Sequence, residues 1–274
     1  MIENLVIGAG AMKAGTTWLY KQLDAHPNIH FTPEKEIHYF SYSEEWGDKL
    51  DARDRNRKLN KVIRRDCSEK IIQWYKRYAQ TGELDDEWYC NLFEGVSNDI
   101  YCADFSNQYS LLEEASLEQI KKVAKNIKVI YTLREPLERL WSHVKFHYKF
   151  NGQEDRVDNI SIKAFRRLIE LPWFWKNAEY VANYDRLVNV FGESNVKLFY
   201  LEDFIALPRD SLWHLEDFLA IQHIEFKDEA AKKKVNKTKE LAMPSQWQRI
   251  AMIKLRSQYQ ALAARGLSHH SWHY

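Results

Sequence analysis

The stretch that most constrains the fold is IGAGAMKAGTTWLY at residues 7–20, where a short apolar run enters a glycine-rich turn and an amphipathic segment follows. This order is typical of a strand, a phosphate-binding loop and a helix. Gly10 and Gly15 have the separation of the ATP-binding pattern G-x-x-x-x-G-K-[ST], but the lysine comes early, at Lys13. The turn therefore predicts an anion site that differs from an ATP-type loop.

Further along the chain, strand and helix patterns alternate. Apolar segments at 5–8, 99–105, 127–133 and 195–204 predict strands, and amphipathic segments between them predict helices. We expect one α/β domain over residues 1–274, with a central, mostly parallel sheet flanked by helices and a P-loop-like nucleotide-binding core. A helical insertion at about 41–98 and a helical C-terminal part at about 205–274 complete it. Ligands of such sheets bind at the carboxyl ends of the strands.

Composition limits the partners. Lys and Arg number 40 and Asp and Glu number 39, so the formal charge of +1 gives no reason to expect nucleic acid or an acidic membrane as a partner. Any anion site must be local. Three cysteines without a C-x-x-C pair, no apolar run long enough to span a bilayer and no basic leader lead us to expect a cytoplasmic protein. No pattern predicts an oligomeric state.

The best strand, at 127–133, ends in Arg134, where a nucleotidase would carry a carboxylate for Mg²⁺. Two cations, Lys13 and Arg134, therefore suggest a ligand whose anionic groups are neutralised by the protein itself, and we expect no metal. His143 is followed by no H-E-x-x-H pattern and is interpreted as a helix-surface or substrate-cleft residue.

Two segments in order resemble the sulfotransferases that use 3′-phosphoadenosine 5′-phosphosulfate. KAGTTWLY is similar to their 5′-phosphosulfate loop, and LREPLERLWSHVKF at 133–146 is similar to their 3′-phosphate segment. The resemblance implies that Lys13 contacts the transferring sulfuryl group and that the donor is a co-substrate. It further implies that the loop binds the donor at its 5′-phosphate, with Ala14, Gly15, Thr16, Thr17 and Trp18 as the binding residues. The second segment would bind the 3′-phosphate through Arg134 and Ser142.

The segment TPEKEIHYFSYSEEW at 32–46 resembles the heparan-sulfate branch, whose catalytic base is an acidic residue just before an x-H-[FY]-F run. The matching residue is Glu36. His38 is the competing base, because other branches use histidine. In an extended segment both side chains point to one face, so one could act while the other orients it, and we favour Glu36. Lys35 is a candidate substrate or sulfate contact.

Two more segments carry weaker similarity. ADFSNQY at 103–109 resembles the family's E-K-T-P-x-Y stretch, but Phe105 occupies the position of the lysine near the sulfuryl group, so we place Phe105 at the substrate site. AKKKVNKTKELAMP at 231–244 resembles the lysine-rich loop that closes over the nucleotide, which makes Asn236, Lys237 and Lys239 donor-binding candidates.

The sequence thus predicts a sulfotransferase that moves a sulfuryl group to a small-molecule or glycan acceptor, with a carbohydrate or other alcohol hydroxyl favoured, by in-line displacement and without metal. Two other classes stay open: a P-loop kinase-like nucleotide enzyme with a degenerate loop, and a nucleotide-binding scaffold without turnover.

Overall fold

A computed structural model describes residues 1–41, 50–225 and 241–272. Five parallel strands form one sheet in the order β2-β3-β1-β4-β5. The strands are β1 (Ile2–Gly10), β2 (Ile29–Phe31), β3 (Tyr101–Asp104), β4 (Ala124–Leu133) and β5 (Val196–Tyr200). The predicted α/β class with a parallel central sheet is confirmed.

Twelve helices in the described ranges surround the sheet. They are α1 (Thr16–Leu23), α2 (Ala52–Arg64), α3 (Glu69–Tyr78), α4 (Asp86–Asn91), α5 (Glu114–Val123), α6 (Pro136–Phe150), α7 (Ile162–Glu170), α8 (Pro172–Trp175), α9 (Tyr180–Phe191), α10 (Leu201–Ala206), α11 (Pro208–Leu219) and α12 (Ser245–Arg265). Helices α2 to α4 lie within the predicted insertion, and α11 and α12 lie in the predicted helical C-terminal part, which α10 precedes.

The sheet is buried on both faces, as expected for parallel strands. Successive residues of β1 alternate between two cores: Leu5 and Ile7 pack into the cluster that includes α5 and α9, whereas Val6 packs into the cluster that includes α1 and α11. A third cluster joins α6, α7, α8 and α12. The glycine loop, which follows β1, is therefore anchored by a strand that is fixed from both sides.

Two details differ from the sequence predictions. The strand predicted over 195–204 ends at Tyr200, because α10 begins at Leu201 and buries Phe204 against the ring of Trp18. The sequence also did not predict β2, which has only three residues, too few for an alternating pattern to be recognised.

Gly8 of β1 lies against the ring of Phe105, the residue that follows β3. Phe105 is fully buried and packs edge-on against Phe31 at 5.1 Å between ring centroids. A Cβ at Gly8 would overlap the Phe105 ring. Glycine is needed here for space rather than for backbone conformation.

We predict that Gly8→Ala lowers the free energy of unfolding by about 1–3 kcal/mol, the usual cost of overpacking a core. Denaturant unfolding measures it. In Gly8→Ala/Phe105→Leu the smaller side chain makes room, so the double variant should lose clearly less than the sum of the two single changes. Simple additivity would contradict the contact.

Candidate active site

The predicted functional residues collect at the carboxyl edge of the sheet, beside the pairing of β1 with β4. From these neighbouring strands the chain leaves in opposite directions, β1 toward β2 and β4 toward β5. Such a reversal opens a crevice between the two loops. The loops are tied together, since the Ala11 amide donates to the Thr132 carbonyl at 2.8 Å and the Thr132 hydroxyl donates to the Gly10 carbonyl at 2.9 Å.

The glycine loop turns between Gly10 and Gly15, both with positive φ, 130° and 96°. A side chain at Gly10 would meet the Asn107 carbonyl at 2.7 Å, and one at Gly15 would meet Leu201 at 2.8 Å. Gly15 is the N-cap residue of α1, whose first residues are Thr16 and Thr17. The first amides of this helix, which have no intrahelical partner, face the end of the loop and form a position suited to an anion.

Lys13 projects from the same loop, with its ammonium over the ring of Phe146 at 4.5 Å from the centroid. Burial, together with the positive charges of Arg134, Lys149 and Lys145, lowers the pKa of Lys13 to about 8, while the charge of Glu36 opposes this shift. Three other cations thus act on Lys13, in a chain whose net charge is only +1.

Arg134 follows β4 directly and lies at the start of α6. Its guanidinium pairs with Glu138 at 3.1 Å on the surface side, and its carbonyl accepts a bond from the Tyr180 hydroxyl at 2.9 Å. The Glu135 carboxylate caps the helix by accepting from the amides of residues 137 and 138. Ser142, two turns into α6, is 8% exposed.

The acceptor-side residues Glu36 and His38 are brought together. His38 Nε2 lies 3.2 Å from Glu36 Oε2, while Glu36 Oε1 accepts bonds from Lys35 Nζ at 2.9 Å and from Asn107 Nδ2 at 3.0 Å. Burial alone would raise the pKa of Glu36, but the hydrogen bond with His38 and the charge of Lys35 outweigh it and hold that pKa well below the usual range. Glu36 is therefore a carboxylate at neutral pH.

A buried network beneath this segment fixes its path. The Asp104 carboxylate is fully buried and accepts bonds from Tyr109 at 2.8 Å, Tyr89 at 3.2 Å and Ser106 at 2.6 Å. Ser106 in turn accepts the His38 amide at 2.9 Å. Burial raises the pKa of Asp104 to about 6, although its hydrogen-bond donors favour the charged form. The residues of the ADFSNQY stretch thus hold the Glu36 segment against the end of β3.

Not every predicted site residue reaches this crevice. Trp18 stacks on Phe204 at 4.9 Å, Ala14 is fully buried, and Phe105 lies in the core described above. His143 is also buried: its ring stacks on Phe174 at 3.8 Å, beneath the surface of α6. Asn236, Lys237 and Lys239 lie outside the described residues.

Three contacts at the site had no signal in the sequence. The amide of Asn107, the ring of Phe146 and the Asp104 network each act on a residue that is distant in the chain. Asp104, Ser106 and Tyr109 lie in the ADFSNQY stretch, which carried a resemblance, but the resemblance gave these three residues no role.

Among the residues that the structure describes, no three His, Cys, Asp or Glu side chains are placed to hold a metal ion. None of the helices described is long and apolar enough to cross a membrane.

The fold and the crevice define an α/β protein with a glycine loop and a helix N-terminus at the switch point of its sheet, an arrangement suited to an anion. Residues 6–225 match the sequence profile described as the sulfotransferase family, and the chain belongs to that family. A search of curated protein sequences gives no significant match. The family membership confirms the resemblance to sulfotransferases.

Solved structures agree on the fold. A sulfotransferase from Alicyclobacillus acidocaldarius superposes with a TM-score of 0.64 at 20% identity, with 96% of each chain covered. The sulfotransferase domain of the Synechococcus PCC 7002 olefin synthase gives 0.53 at 16% identity, covering 98% of this chain and 97% of that one. The sulfotransferase domain of the curacin biosynthetic pathway gives 0.51 at 15% identity, covering 93% and 98%.

The depressed pKa of Lys13 is directly testable. With a pKa of about 8, its amine is half neutral at pH 8 and should react with acetic anhydride along a curve whose midpoint lies near that pH. Peptide mass spectrometry after brief labelling at a series of pH values measures it, with the exposed Lys61 on α2 as the comparison. Coinciding curves for the two lysines would contradict the burial of charge at the loop.

Proposed function

We propose that this protein is a sulfotransferase that moves a sulfuryl group from 3′-phosphoadenosine 5′-phosphosulfate to an acceptor hydroxyl, with a carbohydrate or other alcohol favoured, by in-line displacement. The observation that carries the proposal is the electrostatic contact of Lys13 with both Arg134 and Glu36. It joins the loop that follows β1, the cation that follows β4 and the acceptor-side carboxylate into one site.

The donor fits the residues present. It carries phosphates at two ends of a nucleoside, and the crevice offers the amides around Gly15, the hydroxyls of Thr16 and Thr17 and the cation of Lys13 at one side. Arg134 and Ser142 would hold the 3′-phosphate at the other side, since a guanidinium matches phosphate with two parallel bonds. Arg134 follows β4 directly, at the position where a nucleotidase would carry a carboxylate for Mg²⁺, and the carboxylate of the next residue, Glu135, caps α6.

When bound, this donor supplies the sulfuryl group on a phosphate that leaves as the new bond to oxygen forms. Lys13 would offset negative charge that develops beside the loop, and its partial burial makes that interaction stronger than it would be in water. Glu36 is already ionised, so its Oε2 can accept the acceptor's proton. His38, 3.2 Å away, would orient Glu36 and share that proton.

Lys35 has a place in this scheme. Its ammonium contacts Glu36 at 2.9 Å and lies within 6.0 Å of the Tyr20 ring. The heparan-sulfate branch carries a lysine at the position of Phe105. Here this position supplies no cation, because its side chain is a phenyl ring, which is buried in the core. We propose that Lys35 provides the cation on the acceptor side and contacts the substrate or the sulfuryl group.

The donor site is tested first by calorimetric titration with 3′,5′-adenosine bisphosphate in excess chelator, compared with ATP and Mg²⁺. We expect metal-independent binding of the bisphosphate, weakened at least about tenfold in Arg134→Ala, in which the bidentate contact is lost. Glu138→Gln, which removes only the surface partner of Arg134, should keep the affinity within about threefold. Preference for ATP with Mg²⁺ would favour a kinase instead.

The base is tested with labelled donor and a panel of alcohol, sugar and phenol acceptors. Glu36→Gln should lower kcat by about 10²-fold or more and leave bisphosphate affinity unchanged, because general-base catalysis contributes on that scale. If His38→Gln abolishes transfer while Glu36→Gln retains most of it, the roles are reversed. Donor binding without transfer to any acceptor would favour the scaffold.

The pH profile gives a second check. Lys13 is needed as a cation, and its charge is lost as the pH rises through about 8. We therefore expect kcat/KM to fall above about pH 8, since this parameter reports the pKa values of the enzyme without substrate. A profile that stays flat to pH 9.5 would contradict the role of Lys13.

A further inference from the structure

Two arginines are buried in the described part of the chain, and they differ in how their charge is accommodated. Arg55 of α2, 3% exposed, donates to the carbonyls of residues 50, 78 and 80 at 3.0, 2.8 and 2.9 Å. Arg139 of α6 is 0% exposed. Its contact is a single long bond, from Nη1 to His143 Nδ1 at 3.4 Å.

The rest of the Arg139 guanidinium is unsatisfied. Nε and Nη2 have no hydrogen-bond partner, and Arg139 forms no salt bridge, in the ranges that the structure describes. Its surroundings are the hydroxyls of Tyr131 and Tyr180 and the positive charge of Arg134. A guanidinium keeps its proton in proteins, so this is a buried cation without a carboxylate. Such a charge is costly to the fold unless something compensates it.

The position of Arg139 indicates what compensates it. Arg139 lies in the first turn of α6, and its amide donates at 2.9 Å to the carbonyl of Glu135, the residue that follows the cation proposed for the 3′-phosphate. Arg139 contacts His143, and burial and then the charges of Arg139 and Lys13 hold the pKa of His143 well below its ordinary value. His143 is therefore neutral, and it carries no positive charge into this layer at neutral pH.

We propose that Arg139 is a positioning residue of the donor site, a buried cation whose unfavourable burial is offset only when the phosphates of the donor are bound above it. The inference rests on the proposed function. Because the interior around Arg139 screens charge far less than water does, its attraction for an anion in the crevice acts without contact. The fold thus holds positive potential at the donor site before the ligand arrives.

Removing the charge of Arg139 should therefore leave the stability of the unliganded protein unchanged or higher while it lowers the affinity for the donor. Arg139→Met removes the charge and keeps an unbranched apolar chain, so the unliganded protein should melt at the same temperature as the wild type or higher. Its Kd for 3′,5′-adenosine bisphosphate should rise about tenfold. Calorimetric titration and thermal unfolding with and without the bisphosphate measure both quantities.

Arg55→Met is the matched control. It removes the donors to three backbone carbonyls, so the unliganded protein should melt several degrees lower while the Kd for the bisphosphate stays within about twofold. Ligand charge gives a second control: the loss of affinity in Arg139→Met should be smallest for adenosine, intermediate for adenosine 5′-monophosphate and largest for the bisphosphate. A packing role for Arg139 would not follow that order.

The outcomes separate the two proposals. If the wild type does not bind the bisphosphate, the proposed function itself fails. If the wild type binds it and Arg139→Met binds it equally well, only the role of Arg139 fails. The role also fails if Arg139→Met melts as far below the wild type as Arg55→Met does, because the arginine then serves the fold.

Discussion

The pairing of β1 with β4 is the constraint on which the site depends. The two strands run in parallel with Ile7 opposite Val129, and the register shifts between Gly8 and Gly10 just before the loop begins. The hydrogen bonds between residues 10, 11 and 132 then hold the glycine loop against the end of β4. Lys13 and Arg134 are about 120 residues apart in the chain, and this pairing alone makes them neighbours.

Gly10 links this pairing to the acceptor side. Its missing side chain allows the carbonyl of Asn107 to approach, and the side chain of the same Asn107 donates to Glu36. The close contact between β1 and the turn that follows β3 therefore sets the distance between the anion-binding loop and the carboxylate. Glycine is required at this position for two reasons. A side chain would collide with the Asn107 carbonyl, and the φ of 130° is unfavourable for any other residue.

Sequence patterns were sufficient for the parts of the site that are local in the chain. The loop around Lys13 and the strand that ends at Arg134 each carry their signal within about ten residues, so their elements could be predicted. The proximity of Glu36 and His38 was also predicted, but from an extended segment, whereas His38 has a φ of 62° in the structure. Phe105 could not be placed in this way. Whether its ring faces an acceptor or the core depends on Gly8, which is remote in sequence and leaves the space that the ring fills. The cation-π contact of Lys13 with Phe146 and the burial of His143 depend likewise on how α6 packs on the loop.

The carboxylates of Glu36 and Asp104 lie in different surroundings, which shift their pKa values in opposite directions. Asp104 is fully buried and its side-chain donors are neutral hydroxyls, so burial prevails and its pKa rises to about 6. Glu36 is partly open to solvent and has Lys35 and His38 as partners, so the charged form prevails. Environments that separate two such groups also separate their roles. Asp104 can fix the backbone of His38 through Ser106 but cannot meet a substrate, whereas Glu36 is charged, accessible and beside Lys13. The carboxylate that is open to the crevice, rather than the one that is fully buried, is therefore the one placed to meet an acceptor, and the cations beside it keep it ionised at the cost of weakening it as a base.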